Sequence, residues 1–247
     1  MDFSQNSTSA KKAWFWFDDE WVALGADIES SHEASIVTGI NQCHLKGDVI
    51  VDGVALSTGQ TTLRNPGWVL HDSVAYIFPR NYNVEMKADL QLGNIRRIYG
   101  LGEDSTYAPA VFSLWFDHGI QPKNEHYEYI VVPGKSSKDI QQYTQNSPIR
   151  ILENTSKIQA VHHDKLKLTG VAFHHAGQYS FDDKIIKVDQ PSLVLFDEIN
   201  GTVSLSDPTT KLDKFDIEIT QGADKIWAET VDLPSAEFAG KSVIIQL

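Results

Sequence analysis

The sequence predicts an all-β fold: two packed antiparallel β-sandwiches with one short helix between them. Short apolar or alternating runs, each closed by turn residues, recur from one end to the other. No internal repeat is visible that would point instead to a propeller or solenoid. The 247 residues are enough for one large all-β domain or two smaller ones, each with its own core. The single cysteine, Cys43, has no internal partner, so burial rather than cross-linking must hold the fold.

Taken in order, Ala13-Trp14-Phe15-Trp16-Phe17 and Trp21-Val22-Ala23-Leu24 are two strands separated by Asp18-Asp19-Glu20, a hairpin signal. Trp14 and Trp16 stand two residues apart, share one face of an apolar strand, and are expected in the core. Val49-Ile50-Val51 ends at Asp52-Gly53, a strong turn pair. Residues 111–116 and 125–132 form strands on either side of the polar loop 118–124. After Pro133-Gly134, Ser136-Ser137-Lys138-Asp139 has the form of a capping box leading into Ile140-Gln141-Gln142-Tyr143, so a short helix starts there. The polar residues 144–147 and Pro148 then mark a boundary, giving a first domain at 1–147 and a second at 148–247. Late in the chain Phe215, Ile217 and Ile219 alternate with Asp216, Glu218 and Thr220, one buried face against one wet face. The pattern accommodates roughly fifteen strands.

With 21 Lys and Arg against 33 Asp and Glu, the formal charge of −12 weighs against nucleic acid or an anionic membrane as a partner. No run approaches the roughly 20 apolar residues of a membrane span, and Met1-Asp2-Phe3-Ser4-Gln5-Asn6 lacks the basic-then-apolar form of a secretion signal. An acidic polysaccharide is also repelled on average, so it needs a local basic site or residues outside this chain. The Gly-x-Ser-x-Gly elbow, the phosphate-binding Gly-x-x-x-x-Gly-Lys loop and the Gly-x-Gly-x-x-Gly dinucleotide turn do not occur.

The histidines are the remaining candidates for chemistry. His162-His163 and His174-His175 lie in strand-like runs, where neighbours point to opposite faces and cannot easily share a metal. Cys43-His44 has no second cysteine and no spaced histidine. His71-Asp72, after Trp68, and Asp117-His118, after Trp115, place an aromatic beside a His and an Asp, as sugar sites and catalytic dyads sometimes do. A half-buried histidine satisfied by a nearby carboxylate explains them more simply. No metal and no cofactor is therefore expected. Trp68 and Trp227 are the indoles expected to be exposed for stacking on a sugar ring. Asn6, Asn154 and Asn200 each begin an Asn-x-Ser/Thr triplet.

The residues carry a further signal. Met1-Asp2-Phe3, then Lys11-Lys12-Ala13-Trp14-Phe15-Trp16-Phe17-Asp18, followed by a Leu-Gly turn at Leu24-Gly25, resemble the middle of a polysaccharide lyase of family 8. Ile40-Asn41-Gln42, Trp68-Val69-Leu70-His71-Asp72 and Tyr76-Ile77-Phe78-Pro79 continue the resemblance in order. So do Phe112-Ser113-Leu114-Trp115-Phe116-Asp117-His118-Gly119 and Tyr127-Glu128-Tyr129-Ile130-Val131-Val132-Pro133-Gly134. Asn154-Thr155, Gln159-Ala160-Val161-His162-His163, Ala176-Gly177 and Glu237-Phe238-Ala239-Gly240 extend it through the second half, most closely toward the chondroitin AC lyase branch.

The resemblance implies the later part of a central antiparallel supersandwich followed by a smaller C-terminal β domain, belonging to an extracellular or periplasmic enzyme. It implies β-elimination on an acidic polysaccharide of the chondroitin or hyaluronan type. The uronate is neutralised, a base takes the C5 proton, and the C4 oxygen leaves with a proton. The family's catalytic asparagine, histidine, tyrosine and arginine belong to an N-terminal α/α toroid, and its glutamate to a stretch upstream of the match. No residue here inherits a catalytic role or a metal ligand, and substrate-binding residues stay unassigned. A free-standing carbohydrate-binding sandwich is the alternative.

Overall fold

The computed structural model describes residues 1–222 and 224–247, with the backbone alone at Lys225. The first strands are β1 (Asp2–Gln5), β2 (Thr8–Trp16), β3 (Trp21–Ser30), β4 (Ser35–His44), β5 (Val49–Val51), β6 (Val54–Leu56), β7 (Gly59–Arg64), β8 (Trp68–His71), β9 (Val74–Ile77) and β10 (Asn83–Leu90). An excursion follows, made of β11 (Gly93–Asn94), α1 (Ile95–Tyr99) and β12 (Thr106–Tyr107), and then β13 (Ala110–Ile120), β14 (Glu125–Pro133) and α2 (Ser137–Gln145). The rest comprises β15 (Ile149–Asn154), β16 (Ile158–His163), β17 (Leu168–Phe173), β18 (Gly177–Phe181), β19 (Lys184–Val188), β20 (Ser192–Asp197), β21 (Thr202–Ser206), β22 (Lys214–Gln221), β23 (Asp224–Asp232), a 3-10 turn (Ala236–Phe238) and β24 (Val243–Gln246).

Strands β11 and β12 pair as a separate two-stranded sheet, and the other twenty-two form four stacked antiparallel layers. The first is β4-β13-β10-β7, the second β1-β2-β3-β14-β9-β8-β5-β6, the third β15-β16-β17-β20-β21-β24, and the fourth β18-β19-β22-β23. Between the first two layers, Met86, Phe112, Leu114 and Phe116 pack on Val69, Tyr127 and Tyr129. Between the second and third, Val22, Leu24, Leu70 and Ile77 meet Ile149 and Val161, with Ile140 of α2 filling the junction. Val171, Phe173, Val194 and Phe196 close on Ile186, Phe215, Ile217 and Ile219 between the third and fourth.

This layering explains where the sequence pattern was clear and where it misled. The outer sheets keep the period of two: Val84, Met86 and Ala88 are buried while Glu85 and Lys87 face outward, and Phe215, Ile217 and Ile219 are buried as expected. The second layer is covered on both sides, so all four residues of β8 are buried and alternation disappears. Trp68, expected to be exposed, is therefore only 5% accessible. The reverse happened in β2. Phe15 and Phe17 turn into the junction of the second and third layers, and this leaves Trp14 and Trp16 outward, 42% and 72% accessible rather than in the core. An all-aromatic run has no polar residue to show which parity faces inward.

The hairpin across residues 18–20 forms, with Trp16 opposite Trp21 and their rings stacked at 5.1 Å. The Asp52-Gly53 turn also forms, both residues at positive φ as a tight two-residue hairpin requires. Residues 111–116 and 125–132 are strands but not partners, since β13 lies in the first layer and β14 in the second. Helix α2 has the expected capping box, with Asp139 N donating to Ser136 Oγ and Ser136 N to Asp139 Oδ2. Twenty-four strands occur among the described residues rather than about fifteen, because pieces of two to four residues such as β5, β6, β11 and β12 are too short to show a period. Helix α1 was not expected; its five residues run from an Asn94 cap to a left-handed Gly100.

Gly25 is not at a turn: it lies inside β3, opposite Tyr127 in the β3–β14 pairing. A Cβ at this position would run into the Tyr127 ring. Gly25→Ala is expected to destabilise the protein by about 1–3 kcal/mol through overpacking, read as a lower urea midpoint at unchanged slope.

Candidate functional site

The histidines singled out by sequence are tied into the fold, though mostly not by the carboxylates beside them. His71 is buried; its Nε2 accepts from the Lys46 amide at 3.0 Å and its Nδ1 faces Cys43 Sγ at 3.7 Å. The neighbouring Asp72 turns to Lys46 Nζ at 3.3 Å. His118 Nε2 lies 2.8 Å from Thr38 Oγ1, while Asp117 accepts from Ser35 and from the Gly119 amide. Burial holds the His71 imidazole below its usual range and pushes His118 down to about 4.

Consecutive residues of β16 do point oppositely. His162 Nδ1 meets Thr169 Oγ1 at 2.8 Å. His163 Nε2 meets Glu20 Oε1 at 2.8 Å, and its Nδ1 accepts from the Leu166 amide. Glu20, the last acidic residue of the hairpin tip, is therefore buried, and its partner is 143 positions away. Nothing local in the sequence marks that pair. His174 Nε2 donates to Gln159 Oε1 at 3.0 Å, and burial pushes its pKa down to about 4. Among the described residues, no three His, Cys, Asp or Glu side chains converge as metal ligands would.

Asn154 belongs to a polar junction that sequence reasoning missed. Its Nδ2 is 3.2 Å from the Gly25 and Tyr127 carbonyl oxygens and 3.3 Å from Glu128 Oε1, and its Oδ1 accepts from Gln159 Nε2 at 2.8 Å. Arg80 Nε stands 2.8 Å from the other oxygen of the buried Glu128 carboxylate. Burial nonetheless raises the Glu128 pKa, against the pull of Arg80. The amide nitrogen of Asn154 thus links the second and third layers and is not presented for modification.

The open surface is elsewhere. Trp227 is half-buried against the core of the third and fourth layers. Trp14 and Trp16 line a groove of about 390 Å³ along with Leu193 and Leu195. On the outer face of the first layer, Trp115 lies between Glu85 and Gly39 in the pairing, and Ser113 between Lys87 and Gln42. A depression of about 600 Å³ runs over Trp115, Ser113, Gln42, Lys87, Gln91 and Leu92. Leu92 also borders a second depression, of about 740 Å³, at Arg96 and Arg97 on α1. The two adjoin at Leu92 and together make up a trough. Among the described residues, neither of those guanidinium groups has a carboxylate within 4.0 Å.

Comparison with known proteins places this architecture. Residues 1–144 match the family model described as polysaccharide lyase family 8, super-sandwich domain, and residues 150–216 match its C-terminal β-sandwich domain. Chondroitinase-AC of Pedobacter heparinus is 36% identical over 245 residues, covering 96% of this chain and 35% of the relative. Xanthan lyase of a Bacillus species is 31% identical, covering 85% of this chain and 24% of the relative. The solved structure of a chondroitinase AC lyase superposes with a TM-score of 0.93 at 35% identity, covering 99% of this chain and 37% of the other. That of a Paenibacillus xanthan lyase gives 0.87 at 26% identity, covering 99% and 26%. The chain thus spans roughly a third or less of the length of these relatives. With both family models matched in order and the four-layered stack shared along its length, the chain belongs to polysaccharide lyase family 8.

Proposed function

We propose that this chain is the non-catalytic β portion of a lyase that degrades acidic polysaccharide, of the chondroitin or hyaluronan type, by β-elimination outside the cell or in the periplasm. Residues 1–147 form the later part of its central supersandwich domain and residues 148–247 its C-terminal β domain. The observation that carries this reading is the internal use of the histidines and tyrosines in the stretches that resemble the family. A base for the C5 proton needs an open lone pair, and both ring nitrogens of His163 already have hydrogen-bond partners, while those of His71 face Lys46 and Cys43. A tyrosine serving as base or acid needs contact with substrate, and the Tyr76, Tyr127 and Tyr129 side chains lie in the core. Burial raises all three phenols, those of Tyr76 and Tyr129 to about 12.

The bond-breaking residues then lie on an α/α toroid domain, and the four layers support the cleft this domain forms. The charge of −12 agrees with a basic cleft placed outside these layers. A polymeric substrate too large to cross a membrane favours action outside the cytoplasm. The test is to incubate the purified chain with chondroitin sulfate, hyaluronan and xanthan and to follow the ultraviolet absorbance of the C4–C5 unsaturated product. No product above a protein-free control is expected, and steady release of unsaturated ends would overturn the proposal.

A further inference from the structure

We infer that the trough on the outer face of the first layer binds a chain of acidic saccharides, with Trp115 as its stacking platform and Arg96 and Arg97 as its anion-reading end. The inference rests on the polysaccharide reading above and adds a binding surface within these residues. The first layer stands at the end of the four-layer stack, and the depression of about 600 Å³ lies over Trp115 and Ser113 of its β13. Trp115 is carried there by strand parity, since Phe112, Leu114 and Phe116 take the buried positions of β13.

The residue opposite Trp115 is Gly39, and nothing lies within 4 Å of the place its Cβ would occupy, so the space beside the indole is open. A pyranose ring offers an apolar C–H face and a rim of hydroxyls. The indole suits the former. Gln42, Ser113 and Gln91 suit the latter: the Gln42 amide lies 3.5 Å from both Gln91 Oε1 and Ser113 Oγ, a loose arrangement that a ligand hydroxyl can improve.

Charge decides where an acidic sugar can sit. Glu85, beside Trp115, and Asp89 share the sheet face with Lys87, and Asp104 accepts from Asn94 next to α1. Arg96 and Arg97 are the cations of this region projecting from a helix rather than lying among carboxylates on the strands, and a guanidinium reads a carboxylate or sulfate through two parallel hydrogen bonds. Leu92, Ile98 and Tyr99, strongly exposed nearby, supply apolar flanks. A protein partner would be served by those flanks alone. The amide- and hydroxyl-lined floor under Trp115 favours a saccharide.

The experiment is calorimetric titration of the chain with chondroitin sulfate and hyaluronan oligosaccharides at low and high salt. Trp115→Ala is expected to weaken binding about tenfold or more at both salts. Arg96→Ala with Arg97→Ala should weaken it by about tenfold at low salt and far less at high salt, where exposed charges are screened. Gly39→Leu, which fills open space without touching the core, should block the indole and mimic Trp115→Ala, and Trp16→Ala should bind as the parent does. Undiminished binding by Trp115→Ala and Gly39→Leu, loss through Trp16→Ala instead, or no binding by the parent would each overturn the inference. Binding of a polypeptide through Leu92 and Ile98 with no saccharide bound would also overturn it. The elimination assay is independent: cleavage by the chain sinks the proposed function, whereas absent binding sinks only the trough.

Discussion

Asn154→Ala is expected to lower the unfolding free energy by about 2–4 kcal/mol, the range for breaking a buried polar network. The side chain donates to the Gly25 and Tyr127 carbonyls and to Glu128, and accepts from Gln159. Alanine leaves all four without that partner, and water cannot replace it without opening the junction of the second and third layers. Glu128, already held by burial at a raised pKa, loses the hydrogen bond that favours its charged form. Chemical denaturation read by tryptophan fluorescence measures the loss. Hydrogen exchange should also quicken first at β3, β14 and β15, while the core of the third and fourth layers stays protected. A loss below about 0.5 kcal/mol, the size of an ordinary surface substitution, would show that the junction does not depend on Asn154.

Acidification from pH 7 to pH 4.5 is expected to destabilise the protein by about 3 kcal/mol through His118 and His174. Both have a folded pKa pushed down to about 4 by burial, against about 6.5 in an unfolded chain. Between those values the unfolded state binds more protons. The stabilisation is therefore complete above about pH 6.5 and is lost as pH falls through the window toward 4. The figure is about half of the full linkage value, since both rings keep partial contact with solvent. His71 and His162 shift in the same direction, while the raised Glu128 pKa acts oppositely and adds stability as pH falls. A fall in Tm of about 6–12 °C is expected for a chain of this size, and His118→Asn should flatten the profile. A Tm independent of pH across this interval would contradict the assignment.

How far the sequence could be read follows from which signals are local. Capping at Ser136, the Asp52-Gly53 turn and the alternation of Phe215, Ile217 and Ile219 rest on neighbouring residues, and each is found in place. Trp68 and Trp16 were misassigned for one shared reason: inward and outward faces are distinguishable only where one face is wet. β8 lies in a layer covered on both sides, and the end of β2, Trp14-Phe15-Trp16, is aromatic on both faces. The Glu20–His163 pair and the Asn154–Gly25 contact join residues more than 100 positions apart in the chain, and Asn154 reaches Tyr127 and Glu128 across 27 and 26 positions, so no local spacing rule reaches them. The trough was half legible. Trp115 stood out as an aromatic in a motif, but its partial exposure beside Gly39 depends on β4 pairing with β13, and Arg96 and Arg97 lie on a helix too short for periodicity to show.

The most direct test of the central claim, that these four layers are the non-cleaving part of a polysaccharide lyase, is to purify the lyase activity from the source organism and determine the intact mass of the protein that carries it. The expected result is activity on a protein well above the 27.6 kDa of this chain, containing these residues together with a helical domain. Activity on a protein of 27.6 kDa would contradict the claim.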